Sequence, residues 1–411
     1  MKTEMLILAD DFTGALDTGI QFAKSGAKTR VITDRECDFF EIDAQVLVID
    51  TETRHLPPSE AGRLIGGIVK RAAAFGISFF YKKTDSALRG NAGAEMEALL
   101  RTSGGSCIHF FPAFPAMNRV VRAGVLYIDG IPVENSVFGR DPFEPVRFSA
   151  VSDILAVQTE LPVQAADEIM EGAEGIVVYN SQTDEELCRL ASQLRLDDRP
   201  LLLAGCAGLA SCLTQVLPFP RTVREKQLDT AAGFLVISGS VNEVTRRQIS
   251  EAQKAGFAGE SLTIREKLTD YLWTDEGKSD YSELLRRIME NDRFVVDTSD
   301  ASDGEKALEW GRKHGMDARE VGNRIADTLA GLVMDVVDLG LDRMLLLTGG
   351  DVLYHTMQVM GVTELEPLAE VSPGVILSLF HYGSIQRPIL TKSGGFGKDD
   401  LLIRLGERIV R

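Results

Sequence analysis

The chain has 411 residues, of which 44% are apolar and 26% charged, and its formal net charge is −17. This acidic balance excludes broad nucleic-acid binding, which needs a basic surface, but it leaves room for small anions held by local Arg and Lys residues. No apolar run approaches the roughly 18 residues of a membrane span, so we expect no membrane partner either.

The amino end and the cysteines favour a reducing compartment. Residues 1–4 run directly into a short apolar segment without a signal-peptide pattern, which predicts a cytoplasmic protein. The five cysteines form no C-x-x-C pair, so they indicate neither a zinc ribbon nor a disulfide framework. They are Cys37, Cys107, Cys188, Cys206 and Cys212.

The first predicted strand, residues 5–9, is followed at once by Asp10, Asp11 and a Thr-Gly pair that opens a helical pattern. Open α/β sheets place ligands at the carboxyl ends of their strands, so these carboxylates are candidates for an active site. The alternative is that they only cap the helix, since Asp is favoured at that position. Residues 5–17 alone do not decide between these interpretations.

Strand-length apolar runs and helical patterns then alternate, as expected for a mostly parallel sheet. An Asp-Gly pair at residues 129–130, between two β-rich runs, predicts a small antiparallel hairpin. The predicted strands are 28–33, 44–50, 77–81, 106–111, 175–179 and 201–204, and the clearest helices are 58–75 and 91–102.

A polar segment with two prolines, residues 217–232, is the best candidate for a linker. Alternation resumes after it, with strands at 234–237, 294–297 and 344–347 and a helix at 242–255. We therefore predict an α/β fold of two domains, residues 1–225 and 226–411, each a mostly parallel sheet flanked by helices, with the active site in the cleft between them.

Polar residues follow two further strands of the first domain. Arg54 comes soon after the strand ending at residue 50, and a mixed polar segment follows the strand ending at residue 81. Guanidinium, ammonium and carboxylate groups at one sheet edge suit a small polyhydroxy anion, although each cation alone also fits a solvated surface position. Arg119, after a proline-rich turn, has no assigned role. The polar segment contains Lys82, Lys83, Thr84, Asp85 and Ser86.

The second domain has glycine-rich turns at the ends of three predicted strands, where backbone N–H groups are able to bind phosphate. Each turn alone also fits a purely structural role. No Walker, Rossmann or protein-kinase signature is present, and the five His residues show no metal-ligand spacing. An anionic polyol site and a phosphate site together indicate a small-molecule kinase. The turns contain Ser240, then Gly349 to Val352, then Gly394 and Gly395.

Six segments of the chain resemble, in order, the motifs of the four-carbon acid sugar kinase family. They are residues 9–15, 81–91, 112–116, 238–240, 349–351 and 392–397. The resemblance implies an amino-terminal domain that binds an acid sugar, a carboxyl-terminal domain that binds ATP, and phosphorylation of the C4 hydroxyl. Residues 17–19, 51–54 and 81–86 look most like the D-threonate kinase branch.

By this resemblance Asp10, Arg54 and the segment Lys83 to Ser86 contact the acid sugar, and Ser240, Gly349, Gly350, Asp351, Val352 and Gly395 contact ATP. One departure is Val352, where the family commonly has Thr; the loss of the hydroxyl puts a side-chain phosphate contact in doubt.

For the reaction we predict in-line transfer from ATP with Mg2+, because phosphoryl transfer depends on positioning and charge neutralisation. Asp10 or Asp11 is the first candidate for the base and Asp85 the reserve. Arg54 would hold the substrate carboxylate, Lys82 or Lys83 would stand near the transferred group, and Asp351 could reach the metal.

D-erythronate and 3-oxo-tetronate are alternative substrates. A nicotinamide oxidoreductase and a non-catalytic sensor of sugar acid or nucleotide are alternative functions. The stereochemistry of the substrate and the oligomeric state are left open, and an oligomer is possible.

Overall fold

The structure is a computed structural model that describes residues 3–141, 144–217, 219, 228–299 and 306–411. It divides into two compact units, Met1–Glu225 and Lys226–Arg411. Most of the predicted linker, including the predicted boundary at residue 225, lies outside the described residues. Among the described residues, no helix is both long and apolar enough to cross a membrane.

The amino-terminal unit alternates strands and helices, with an excursion of three short strands in its middle. Its strands are β1 (Met5–Ala9), β2 (Thr29–Ile32), β3 (Val46–Asp50), β4 (Phe79–Lys83), β5 (Cys107–Phe111), β6 (Arg119–Arg122), β7 (Val125–Ile128), β8 (Ile131–Pro132), β9 (Val163–Ala166), β10 (Gly175–Tyr179) and β11 (Leu201–Gly205). Its helices are α1 (Phe12–Lys24), α2 (Pro58–Phe75), α3 (Ala92–Ser103), α4 (Val151–Ala156), α5 (Asp184–Ser192) and α6 (Ala207–Val216).

Eight of these strands form a sheet in the order β2-β3-β1-β4-β11-β5-β10-β9, with every neighbouring pair parallel. Strands such as β1 and β3 are buried along their whole length because helices cover both faces of a parallel sheet. The predicted mostly parallel sheet is therefore confirmed for this unit.

The predicted hairpin is also present, as the antiparallel pair β7 and β8, with β6 added on the other side of β7. Asp129 and Gly130, in the turn, both have positive φ values, 50° and 81°. Asp-Gly favours this turn because Gly tolerates positive φ without steric cost and Asp tolerates it better than most residues.

Two sequence-based expectations need correction in this unit. Strand β4 ends at Lys83, two residues later than predicted, so Lys82 and Lys83 lie within the strand and project to opposite faces of the sheet. Cys188 on α5 is disulfide-bonded to Cys212 on α6, although the sequence indicated no disulfide framework. The partners are 24 residues apart and are brought together only by the packing of α5 against α6.

The carboxyl-terminal unit has the same alternation, followed by three long strands with antiparallel neighbours and a final helix. Its strands are β12 (Gly233–Ser238), β13 (Ala258–Ser261), β14 (Arg293–Asp297), β15 (Arg343–Thr348), β16 (Glu364–Ser372), β17 (Val375–Tyr382) and β18 (Ile385–Lys392). Its helices are α7 (Glu243–Lys254), α8 (Ile264–Leu268), α9 (Lys278–Glu290), α10 (Ala307–Lys313), α11 (Ala318–Asp338), α12 (Gly350–Met360) and α13 (Leu401–Ile409).

Its strands lie in the order β13-β14-β12-β15-β18-β17-β16. Neighbours among the first five are parallel, whereas β17 is antiparallel to both β18 and β16. In both units the chain leaves a central strand, forms the next two strands on one side of it, and places the following strand on its other side. This reversal occurs at β1 in the first unit and at β12 in the second. Open α/β sheets bind ligands at such a point, beyond the carboxyl ends of the strands.

Candidate active site

The turn after β1 gives its two aspartates different surroundings. Asp11 is the N-cap of α1, and its Oδ1 accepts a hydrogen bond from the Gly14 N–H at 3.0 Å. Asp10, by contrast, is only 2% exposed and does not cap the helix. Capping therefore accounts for Asp11, whereas the burial of Asp10 needs another explanation.

Arg54 supplies that explanation, because its guanidinium lies among three carboxylates. Its Nε is 2.9 Å from Asp10 Oδ2 and its Nη1 is 2.9 Å from Asp11 Oδ2. Its Nη2 is 3.7 Å from Asp85 Oδ1. Residues from the ends of β1, β3 and β4 therefore meet at one place, as their positions at strand ends predicted.

Burial opposes the ionisation of Asp10, but the positive charges of Arg54, Lys83 and Lys82 outweigh it and lower the pKa of this carboxyl. Asp10 is therefore a carboxylate at neutral pH. Its Oδ1 is buried and has no hydrogen-bond partner among the described residues. Such an oxygen is available to accept a proton or a hydrogen bond from a ligand hydroxyl.

The loop that carries Arg54 is held from the start of α3. The Asn91 side-chain amide donates hydrogen bonds to the backbone oxygens of Thr53 and Leu56, at 2.8 and 2.7 Å. Gly90, with φ of 84°, lies so close that an added Cβ would be 3.0 Å from Arg54 Cγ. These contacts fix the guanidinium before any ligand binds.

The two lysines of β4 have different environments. Lys82 is fully buried, and its Nζ is 3.0 Å from Glu95 Oε2 and donates to the backbone oxygens of Leu8 and Lys83. All of its contacts are internal. This position argues against the prediction that Lys82 contacts substrate or the transferred group, and it indicates a structural ion pair instead.

Lys83 projects to the other face, toward the first turn of α1. A Cβ added to Gly14 would overlap Lys83 Nζ, which places the ammonium beside that turn. No hydrogen bond or ion pair satisfies this ammonium in the part of the chain that the structure describes. A cation at a helix N-terminus suits an anion such as a phosphoryl group.

The segment after β4 is more constrained than the sequence suggested. Asp85 receives two hydrogen bonds from the Arg89 guanidinium, from Nε at 2.9 Å and from Nη2 at 3.0 Å. Burial opposes ionisation of Asp85, but Arg89 and Arg54 hold its pKa well below the usual range. Thr84 is fixed by its N–H to the Gly205 oxygen at 2.8 Å, whereas Ser86 is half-buried.

Sequence reasoning missed the roles of two residues in this region. Arg89 belongs to a recognised motif but was not singled out, and it satisfies both oxygens of Asp85. Glu95 lies four residues after Asn91 and joins Lys82 to Thr53, whose hydroxyl donates to it. A carboxylate at the core-facing position of an amphipathic helix was the available signal for Glu95.

In the second unit, the turns after β12 and β15 touch. Gly349 has φ of 110°, and an added Cβ would lie 3.5 Å from the Gly239 carbonyl carbon and from the Ser240 nitrogen. A side chain at Gly239 would also crowd Val352, whose Cγ2 would be 2.5 Å from the new atom. Glycine is therefore favoured at residue 349 by its positive φ and at residue 239 by the close side chain of Val352.

Helix α12 begins at this contact without a side-chain cap, so its first N–H groups are open to a ligand. Asp351 is exposed at this end, whereas Val352 is buried. The Val352 side chain fills the core beside Gly239. The family's more common Thr would place its side chain in the same inward position, so Val352 leaves the backbone N–H groups unchanged.

The turn after β18 reaches the same place. A Cβ added to Gly394 would lie 3.1 Å from Ser240 Oγ, whereas one added to Gly395 would meet nothing closer than 3.8 Å. Lys392 is buried and donates to the backbone oxygens of Ser393 and Gly394, each at 3.1 Å. The predicted turns therefore converge, with Lys392 as an organising residue that sequence reasoning had not assigned.

The three turns and the start of α12 fit a nucleoside triphosphate, because the glycines leave room for phosphate oxygens and α12 offers N–H donors. They also fit Mg2+ held mainly by phosphate oxygens and water, which needs only one or two protein carboxylates. No group of three or more metal-ligating side chains occurs among the described residues. Asp351 is the carboxylate at the start of α12.

Comparisons with known proteins assign both units. A sugar-binding N-terminal domain matches residues 5–213, and a nucleotide-binding C-terminal domain matches residues 235–402. The D-threonate kinase of Salmonella typhimurium is 28% identical over 97% of this chain and 96% of its own length. The D-erythronate kinase of Heliobacterium modesticaldum is 28% identical over 97% and 95%, and the 3-oxo-tetronate kinase of Burkholderia multivorans 27% over 96% and 94%.

The chain belongs to the four-carbon acid sugar kinase family. It is accordingly a phosphotransferase with a carboxyl-terminal domain that binds nucleotide. A solved structure from Salmonella typhimurium described as a putative tRNA synthase has the same fold, with a TM-score of 0.79 and 20% identity over 98% of this chain and 99% of that one. The carboxylate and cation cluster of this chain lies within the residues that match the sugar-binding domain.

Proposed function

We propose that this protein transfers the γ-phosphoryl group of ATP to the C4 hydroxyl of D-threonate, giving 4-phospho-D-threonate. The proposal rests on the groups that each unit places at the point where its strand order reverses. Carboxylates and cations lie at β1, where they suit a polyhydroxy acid. Glycine turns and the open end of α12 lie beyond β12 and β15, where they suit phosphates.

Asp10 is our candidate for the group that orients and deprotonates the C4 hydroxyl. Both oxygens of Asp11 have partners, in Gly14 and Arg54, and both oxygens of Asp85 are satisfied by Arg89. Only Asp10 keeps a buried oxygen, Oδ1, without a partner among the described atoms of these three carboxylates. Its lowered pKa keeps it ionised, as a proton acceptor must be.

Lys83 is our candidate for the cation beside the transferred phosphoryl group. It lies over the first turn of α1, close enough to lower the pKa of Asp10. Loose phosphoryl transition states carry their charge on peripheral oxygens, so a fixed ammonium stabilises them. When bound, Mg2+ would neutralise charge on the ATP phosphates, with Asp351 as a ligand directly or through water.

The choice of D-threonate depends on residues 17–19, 51–54 and 81–86, which look most like that branch. Relatives with near-equal identity are named for D-erythronate and 3-oxo-tetronate, so these remain the alternative substrates. A non-catalytic sensor was suggested only by Val352. The buried position of this side chain removes that suggestion.

The test is ADP release by the purified full-length chain with ATP, Mg2+ and each of D-threonate, L-threonate, D-erythronate, L-erythronate and 3-oxo-tetronate. We expect the highest kcat/KM for D-threonate, with NMR placing the phosphate on C4. Faster turnover of another tetronate would replace the substrate. Tetronate binding without ADP release would favour a sensor, and a thermal shift with NAD or NADP would revive the oxidoreductase.

A further inference from the structure

Arg119 lies at the edge of the carboxylate and cation cluster around Arg54. Backbone hydrogen bonds fix its position. Its N–H donates to the Phe114 oxygen at 3.1 Å, and the Phe114 N–H donates to the Arg119 oxygen at 2.7 Å. Cys206 packs against the same turn, with its Sγ 3.4 Å from the Ala113 oxygen. The start of β6 is thereby held against the start of α6.

The guanidinium of Arg119 shares an aromatic ring with Arg89. Its Cζ is 5.3 Å from the centre of the Phe138 ring, and the Cζ of Arg89 is 5.1 Å from the same centre. The ring supports both planar cations through cation–π contact. Phe138 therefore orients Arg119 without using any of its N–H donors.

The two arginines differ in their acceptors. Arg89 donates to Asp85 and, through Nη1, to Asp141 at 3.0 Å. Arg119 has no side-chain acceptor among the described residues, and its Nε is buried. A buried donor without an acceptor is costly, so it points to an acceptor that a ligand supplies.

The charges of the cluster lead to the same conclusion. Arg54 is matched by Asp10 and Asp11, and Arg89 by Asp85 and Asp141, whereas Lys83 and Arg119 have no carboxylate partner among the described residues. Both of these cations act on one group: burial raises the pKa of the Cys206 thiol, and Lys83 and Arg119 partly oppose that rise. Two unmatched cations near one thiol favour an anionic ligand.

We propose that Arg119 binds the carboxylate of the acid sugar and sets the preference for an acid over a neutral polyol. This inference rests on the proposed function and replaces the prediction that Arg54 holds that carboxylate. The donors of Arg54 face three aspartates. The guanidinium donors of Arg119 have no acceptor among the described residues, and they have the planar arrangement that pairs with a carboxylate in a bidentate manner.

The test compares Arg119→Gln and Arg119→Lys with wild type. Binding of D-threonate and D-erythronate is measured by calorimetry, and turnover of neutral D-threitol by ADP release. We expect Arg119→Gln to weaken tetronate binding by about 10- to 100-fold, as for loss of a charge-assisted hydrogen bond. The tetronate affinity of Arg119→Lys should lie between those of wild type and Arg119→Gln, because Lys keeps the charge and loses the bidentate geometry. Any fall in kcat/KM for D-threitol should be much smaller than the fall in tetronate affinity.

The matched control is Arg122→Gln, since Arg122 is on the same strand and also covers an aromatic ring, with its Cζ 4.5 Å from the centre of Tyr127, but is exposed. It should bind tetronates like wild type. Unchanged tetronate affinity in Arg119→Gln, or an equal loss with D-threitol, would overturn the inference. Arg119-dependent tetronate binding without ADP release would support this inference and overturn the proposed function.

Discussion

The three aspartates around Arg54 differ in whether each carboxylate oxygen has a hydrogen-bond partner. Replacing Asp10 with Asn keeps the shape and removes the proton acceptor, so we expect kcat to fall by about 10²- to 10⁴-fold. Asp11→Asn should stay within about tenfold of wild type, because Asn also caps helices. Steady-state ADP release measures both variants. Equal losses in the two variants would contradict the assignment of Asp10.

The buried pair of Lys82 and Glu95 tests the structural role that we assign to Lys82. Lys82→Met leaves Glu95 charged and unpaired in the core, so the free energy of unfolding should fall by about 3–5 kcal/mol. The exposed pair of Arg101 and Glu97, on α3, is the control, and Arg101→Met should change stability little. Urea unfolding of the variants measures the effect. A stable Lys82→Met protein that has lost only tetronate affinity would restore the original prediction of substrate contact.

At the scale of elements, the end of β18 is organised by a buried ammonium. Burial lowers the pKa of Lys392 to about 8, from an ordinary value of 10.5. Between these values the unfolded chain holds a proton that the folded chain has lost. The contribution of this residue to stability therefore rises with pH in that window, by up to about 1.4 kcal/mol per pH unit. Below about pH 8 the residue is protonated in both states, and its contribution stays at its lowest level.

We therefore expect the difference in unfolding free energy between wild type and Lys392→Met to grow in favour of wild type from pH 8 to pH 10. Urea unfolding of both proteins at pH 7, 8, 9 and 10 measures this difference. Titration of other groups cancels in the comparison. A difference that does not vary with pH would show that Lys392 keeps an ordinary pKa in the folded protein.

The first four strands of the two units have the same spatial order, a likeness that the sequence does not show as a repeat. The orders β2-β3-β1-β4 and β13-β14-β12-β15 are equivalent. Strand periodicity shows where strands lie but not which are neighbours, so this likeness required the structure. The strands β16 and β17 were not among the predicted strands. Their antiparallel direction also required the structure, because apolar runs of strand length carry no direction.

At the scale of the whole molecule, counting free thiols tests the cysteine pairing directly. With Cys188 and Cys212 joined, three thiols are free, at Cys37, Cys107 and Cys206. Chain purified without reductant and then denatured should titrate three thiols, and five after reduction. Cys188→Ser should titrate four thiols without reductant. Five free thiols in the unreduced wild type would support the earlier expectation of a fully reduced chain.

The sequence by itself determined the α/β class, most strand and helix positions, and the chemical character of each unit. These properties depend on local order: apolar periodicity, turn residues, and polar groups directly after strands. The predicted helix at 58–75 matches α2, and Asp10, Arg54 and the glycine turns are all at strand ends.

Only the tertiary structure decided which of these residues are free to act. Lys82 and Lys83 are adjacent in sequence, yet one pairs with Glu95 and the other lies over α1, because neighbours on a strand face opposite sides. Asp10 and Asp11 are also adjacent and both contact Arg54, yet only Asp11 caps α1, and of the two only Asp10 keeps a buried oxygen without a partner among the described residues. Partners come from segments distant in sequence, so the availability of each oxygen and ammonium is a property of the folded chain.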